Sequence, residues 1–260
     1  MDAAALTMNV CCATFSRPGS RETNQDSTGE TAVAAGRIFI VADGAGGHFG
    51  GAVASRTVVD VITSSLESLP AFDHEAVAAA IDAATTEVRR QQSSDHALGN
   101  MSSTVTVLCI DSAGEQACWG HLGDSRIYHF RRGVIEGITR DHSVVQSLMD
   151  AGIYTQGDVR DHGDRSVLYA AIGSEGESRP ALAGPVTLQD GDAFLLCSDG
   201  VWDVLRDQRL EALLRRSGSA EEWISAIEQA VVAAQHPGQD NFSAIAVWIG
   251  EPDAITVFGE

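Results

Sequence analysis

The 260-residue sequence predicts an α+β fold in which antiparallel sheets are covered by helices on their outer sides. Three observations carry that expectation. Strand-like and helical segments come in blocks, without the strict β-α-β alternation of a parallel, doubly wound sheet. Apolar residues make up 44% and charged residues 20% of the chain, the balance of a protein that buries a core. No repeat, low-complexity stretch or linker divides it, so a single domain over 1–260 is expected, with its motifs at about 9–250.

In chain order, segments 9–15 and 37–42 are rich in β-branched and other apolar residues and predict strands. Val58, Val61, Ile62, Leu66 and Leu69 then recur at helical spacing, as do Val77, Ile81, Ala84 and Val88. Further strands are expected at 104–110, 116–121, 126–130 and 134–138. A helix over 143–151 carries Val144, Val145, Leu148 and Met149 on one side. Strands at 193–197 and 243–248 bracket helices around 210–214 and 223–234.

Composition excludes several functions. With 17 Lys+Arg against 36 Asp+Glu, the net charge is −19, and a surface of that sign gains no counterion release from a nucleic acid. The longest apolar runs, at 76–81 and 244–249, are far shorter than the roughly 20 residues that span a bilayer. The N-terminus lacks a basic region followed by an apolar stretch, so no signal peptide is expected. Cys11, Cys12, Cys109, Cys118 and Cys197 form no CxxC pair and lie in apolar runs, which suits reduced thiols in a cytoplasmic protein. The histidines show no HExxH spacing.

Five aspartates remain to be explained. Asp43 and Asp199 each end an apolar strand and precede a glycine, Gly44 and Gly200. Asp124 stands between two strands, Asp240 immediately before one, and Asp26 closes the stretch after the first. Hard carboxylate oxygens at strand ends suit Mg²⁺ or Mn²⁺ better than zinc. Each aspartate also has a plain reading as a turn or cap residue, and Asp190-Gly191 is read as a simple hairpin turn. The glycine-rich run GAGGHFGG after Asp43 lacks the Lys-Ser/Thr of a phosphate loop and the spacing of a dinucleotide fingerprint.

Eight runs, in order, decide between these readings: RETNQD, FIVADGAGGHFGGAVAS, MSSTVTVL, HLGDSRIYHFRRG, ITRDHSVVQSLMDAG, HGDRSVLYAAIG, FLLCSDGVWDVL and GQDNFSAIAV. Together they closely resemble the metal-dependent serine/threonine protein phosphatases of the type 2C class, the PPM family, in its bacterial form. The resemblance implies a four-layer α-β-β-α sandwich, two antiparallel sheets flanked by helices, with a pair of Mn²⁺ or Mg²⁺ ions at one end. It implies that Asp43 bridges both ions, that the Gly44 carbonyl is a further ligand, and that Asp199 and Asp240 bind one of them. Asp26 matches an acidic residue that supports the site through water. Asp124 matches the ligand of a third, weaker ion, and Arg21 the arginine that grips the substrate phosphate.

The implied reaction is hydrolysis of phosphoserine and phosphothreonine in proteins by a water whose pKa the ions lower, in opposition to a bacterial Ser/Thr kinase. His48 occupies the place of a loop histidine and is a candidate proton donor to the leaving alkoxide. His142 is read as structural, introducing a helix far from the Asp-Gly loops. Gln25 stands where bacterial members carry glutamate, and Ala52 replaces another family glutamate. Segment 151–166 matches a variable flap. A monomer with neither nucleic-acid nor membrane partners is expected. Two other readings stay open: a catalytically weak member acting as a binding module, and a hydrolase of non-protein phosphate esters.

Overall fold

The computed structural model describes residues 8–154, 167–176 and 178–250. In chain order the elements are β1 (Val10–Arg17), β2 (Asp26–Val33), β3 (Gly36–Ala45), α1 (Gly47–Leu66) and α2 (His74–Ser94). Five strands follow: β4 (Ser102–Ser103), β5 (Val105–Asp111), β6 (Gln116–Leu122), β7 (Arg126–Arg131) and β8 (Val134–Ile138). The chain closes with α3 (Val144–Asp150), β9 (Ala181–Thr187), β10 (Ala193–Cys197), α4 (Asp199–Trp202), α5 (Asp207–Leu214), α6 (Ala220–Ala233) and β11 (Phe242–Ile249).

The strands form two sheets. One runs β1-β11-β10-β7-β8; the other runs β2-β3-β5-β6-β9, with β4 paired onto β3. Every pairing is antiparallel. The sequence of β10 and β11 explains why they sit at the centre. Every residue of both is buried, because alternate side chains serve two different apolar layers. Phe194, Leu196, Ile245 and Val247 face the other sheet and meet Phe39, Val41, Leu108 and Ile110. Leu195, Ala244, Ala246 and Trp248 turn outward beneath Trp223 and Ile227 of α6. A third layer packs Ile38, Ile40, Val105 and Val107 against α1 and α2. Three apolar layers between four layers of structure give the α-β-β-α sandwich expected from the resemblance.

The helices follow their apolar spacing. Val77, Ala80, Ile81, Ala84 and Val88 make one buried stripe on α2, and the Asp73 side chain caps that helix by accepting from Ala76 N at 2.8 Å. Ser143 and Ser219 cap α3 and α6 in the same way.

Three strands were not expected, and each has a physical reason. β2 (DSTGETAV) and β9 (ALAGPVT) are outer strands, half exposed and poor in large apolar residues, and Pro185 is tolerated because β9 lies at an edge. β4 is two residues long. The turn at Asp190-Gly191 is real, with Gly191 at φ +81°, but it is not a hairpin: β9 and β10 belong to different sheets. The expected flap lies outside the described residues over 155–166, as does the tail 251–260. Among the described residues no helix is long and apolar enough to cross a membrane.

Candidate metal centre

Strand ends from both sheets bring the acidic residues together. β2 and β3 pair with Asp26 opposite Asp43, so two carboxylates share one end of one sheet. Asp124 lies in the crossover from β6 to β7, which changes sheet. Asp199 opens α4 directly after β10, and Asp240 stands two residues before β11. A cleft of about 640 Å³ opens there, lined by Arg21, Asp43, Gly44, Asp124, Asp199 and Asp240 among others. Asp26 is not in its lining; it stands behind, with Oδ2 accepting from Ser198 Oγ at 2.8 Å.

The local sequence fixes the floor. Asp43 N donates to Thr104 Oγ1 at 3.0 Å, and the Asp43 carbonyl accepts from Thr104 N at 2.8 Å and Ser103 Oγ at 3.1 Å. Gly44 and Gly51 must both be glycine. A Cβ on Gly44 would stand 2.0 Å from Gly51 O, and one on Gly51 would stand 2.6 Å from Gly44 O. The Asp-Gly turn is thereby pressed against the first turns of α1. His48 lies in the first turn of α1; its side chain is outside what is described.

Burial and mutual repulsion raise the carboxyls of Asp26, Asp43, Asp124 and Asp199 above their ordinary range. Burial is the largest cause for Asp43, followed by the charges of Asp26, Asp199, Asp124 and Asp240. Asp199 is raised in the same way, by burial and then by Asp124 and Asp240. Asp124 is pushed up to about 7 by burial and then Asp141. Asp26 is pushed up to about 6 by burial, partly offset by hydrogen bonds from Ser243 and Ser198.

Such a group fits divalent cations. Asp26 Oδ1 and Asp199 Oδ1 are buried without a hydrogen-bond partner among the described residues, and the whole donor set is hard oxygen. No three acidic, histidine or cysteine side chains among the described residues converge on a single point. The carboxylates stand around the cleft instead, and Arg21 Nη2 donates to Asp240 Oδ2 at 2.7 Å. Arg21 is thus placed at the site, paired for now with one of the expected ligands.

Sequence reasoning missed the residues that hold this floor from behind. Arg126 makes a two-pronged ion pair with Asp141 at 2.8 and 2.7 Å and lies 3.7 Å above the Trp202 ring. Trp202 Nε1 donates to the Asp124 carbonyl at 2.9 Å, so the crossover and α4 are tied together. His142 is closer to the acidic cluster than expected: its Nδ1 accepts from Gly123 N at 3.1 Å, beside Asp124. The alternation of β7, which turns Arg126 and Tyr128 to the same side, was the available signal.

Gln25 is also more than a weakened glutamate. Its Nε2 donates to Gly47 O at 2.9 Å, a bond that a carboxylate cannot make. Its backbone N donates to Asn241 Oδ1 at 2.8 Å, and its carbonyl accepts from Ser55 Oγ and, at 3.2 Å, from Gly44 N. Asn241 in turn donates to the carbonyls of Pro18 and Thr23, each at 2.9 Å. The residues around Arg21, the glycine turn and the start of β11 are one hydrogen-bonded unit.

A family model described as protein phosphatase 2C matches residues 16–236. The chain belongs to the protein phosphatase 2C family. Among curated relatives, the serine/threonine protein phosphatase PstP of Mycobacterium tuberculosis is 32% identical over 237 residues, covering 90% of this chain. This chain spans only 43% of that relative's length. The protein phosphatase PhpP of Streptococcus pneumoniae is 29% identical over 240 residues, covering 90% of this chain and 95% of the relative. Among solved structures, M. tuberculosis PstP/Ppp superposes with a TM-score of 0.81 at 30% identity, covering 93% of this chain and 99% of that one. The PstP catalytic domain in complex with two manganese ions superposes with a TM-score of 0.81 at 28% identity, covering 94% and 100%. The four-layer arrangement of this phosphatase 2C chain is therefore the fold of the family.

Proposed function

We propose that the cleft hydrolyses phosphoserine and phosphothreonine in proteins with the help of two Mn²⁺ or Mg²⁺ ions. The observation that carries this reading is the convergence of Asp43, Asp124, Asp199 and Asp240 with Arg21 in one cleft. When bound, the ions supply a water of lowered pKa as nucleophile and offset charge on the phosphoryl oxygens. The likeness to the PstP catalytic domain in complex with two manganese ions supports a pair here.

Asp43 would hold both ions, with Gly44 offering its carbonyl; Asp199 and Asp240 would hold one of them. Asp124 would serve a third, weaker ion, and Asp26 would steady the set from behind. Arg21, whose side chain is 58% exposed and pairs with Asp240, would be free to turn to the phosphoryl oxygens of a bound substrate. His48, on the first turn of α1, donates a proton to the departing alkoxide. No cysteine is needed as nucleophile, which agrees with the burial of Cys109, Cys118 and Cys197.

The chain acts as one catalytic domain, a monomer in the cytoplasm, opposing a Ser/Thr kinase. Phosphate release from a phosphothreonine peptide tests the reading: it should require Mn²⁺, stop with EDTA, and fall at least a hundredfold in Asp199→Asn. Metal-independent release would overturn the proposed chemistry, and an active Asp199→Asn would overturn the site.

A further inference from the structure

We infer that the cleft carries a second subsite, which takes an aliphatic side chain next to the phosphorylated residue. The inference rests on the phosphatase reading above and adds a substrate preference to it.

The backbone places two unlike surfaces on either side of the Asp43-Gly44 floor. On one side Gly44 is bonded to Gln25, and Gln25 to Asn241, which leads to Asp240, Arg21 and Glu22. On the other side Gly44 pairs with Ser103, and Ser103 pairs with Ile172. That second side brings Leu168 and Ala171 into the cleft lining, with Phe49 from the first turn of α1. The first surface is charged; the second offers carbon.

Phe49 is the clearest mark of this surface. It is 72% exposed and lines the same cleft as the aspartates, together with Leu168 and Ala171. Exposed apolar side chains beside a few placed polar groups are the usual make-up of a ligand-binding surface. A single exposed phenylalanine needs no explanation; one that shares a cleft with Leu168 and Ala171 has a specific opportunity.

The geometry selects the occupant. A volume of about 640 Å³ corresponds to roughly 9 Å across, or two to three residues of extended chain at about 3.3 Å each. With the phosphoryl group over the carboxylates and Arg21, the adjacent residue falls within the cleft. A basic neighbour finds Glu22 on the charged side, and an acidic one meets Glu22 and the aspartates. An aliphatic neighbour is served only by the surface of Phe49, Leu168 and Ala171.

Steady-state kinetics on phosphothreonine peptides that differ only in Leu or Ser beside the phosphoresidue test the subsite. For the wild type, KM should be about tenfold lower with Leu, as expected from burying part of one phenyl and one isobutyl group, with kcat little changed. Phe49→Ala should bring the two KM values together, and Phe49→Leu should keep them apart. Equal KM values in the wild type, or a preference that survives Phe49→Ala, would overturn the subsite. Thermal midpoints of the variants within a few degrees of the wild type separate a lost contact from a damaged fold. Absence of Mn²⁺-dependent turnover of p-nitrophenyl phosphate by the wild type would instead overturn the phosphatase reading beneath it.

Discussion

Replacing Gln25 isolates the bond that holds the glycine turn. Gln25 Nε2 reaches Gly47 O at 2.9 Å and so ties the start of β2 to the first residue of α1. Gln25→Ala removes that bond. Gly47 is exposed, so water satisfies its carbonyl, and the loss is about 1 kcal/mol. Gln25→Glu removes the same bond and adds a negative charge near four cleft aspartates, a further cost of roughly 1 kcal/mol in metal-free protein. At about 2–4 °C per kcal/mol for a domain of this size, the metal-free midpoint should fall by about 2–4 °C for Ala and by roughly twice that for Glu. With saturating Mn²⁺ the order should reverse, because the added carboxylate then faces cations. Differential scanning calorimetry in EDTA and in Mn²⁺ reads both orders. If Gln25→Ala unfolds with the wild type in EDTA, or Gln25→Glu unfolds above it, the bond does not hold the turn.

Three further outcomes follow from the same geometry. Arg126→Ala leaves Asp141 buried without its partner and should cost about 3–5 kcal/mol, read as a lower urea midpoint. Gly44→Ala has no room for its methyl group against Gly51 O and should give insoluble protein, or soluble protein without Mn²⁺ binding by calorimetry. The metal-free protein should lose stability as pH rises from about 4 to about 7. Asp26 and Asp124 keep their protons to about 6 and about 7 when folded but release them near 4 when unfolded, so the unfolded state is favoured progressively across that window. Thermal melts at pH 4.5 and 7.5 check the sign; Asp26→Asn should raise the metal-free midpoint at pH 7.5 and leave it nearly unchanged at pH 4.5.

The sequence made the buried parts of this protein easy to read and its margins hard. The segments 193–197 and 243–248 announce themselves because nearly every residue must be apolar when a strand is covered on both faces. β2 and β9 need no such residues, since each lies at an edge and is half exposed, and their composition resembles a loop. The five aspartates were legible as strand-end residues, yet spacing could not say that Asp124 and Asp190 occupy different kinds of turn. Both turns join strands of different sheets, and only the first opens on the cleft. Arg126 and Trp202 escaped notice, and Gln25 was noticed only as a missing glutamate, for a different reason. Their roles lie in contacts with partners 15, 78 and 22 residues away in the chain, which spacing alone does not name.

The division of the acidic residues between the two sheets has a mechanical consequence. Asp43 belongs to one sheet, while Asp199 and Asp240 adjoin strands of the other. An ion shared by these groups is a reversible cross-link added to the few hydrogen bonds, such as Ser198 to Asp26 and Gln25 to Asn241, that join the two plates at that end. Pulled apart along the normal to the sheets, the loaded domain should resist as one body, and the stripped domain should part first at the open end of the cleft. Metal supply would then set the stiffness of the protein as well as its chemistry.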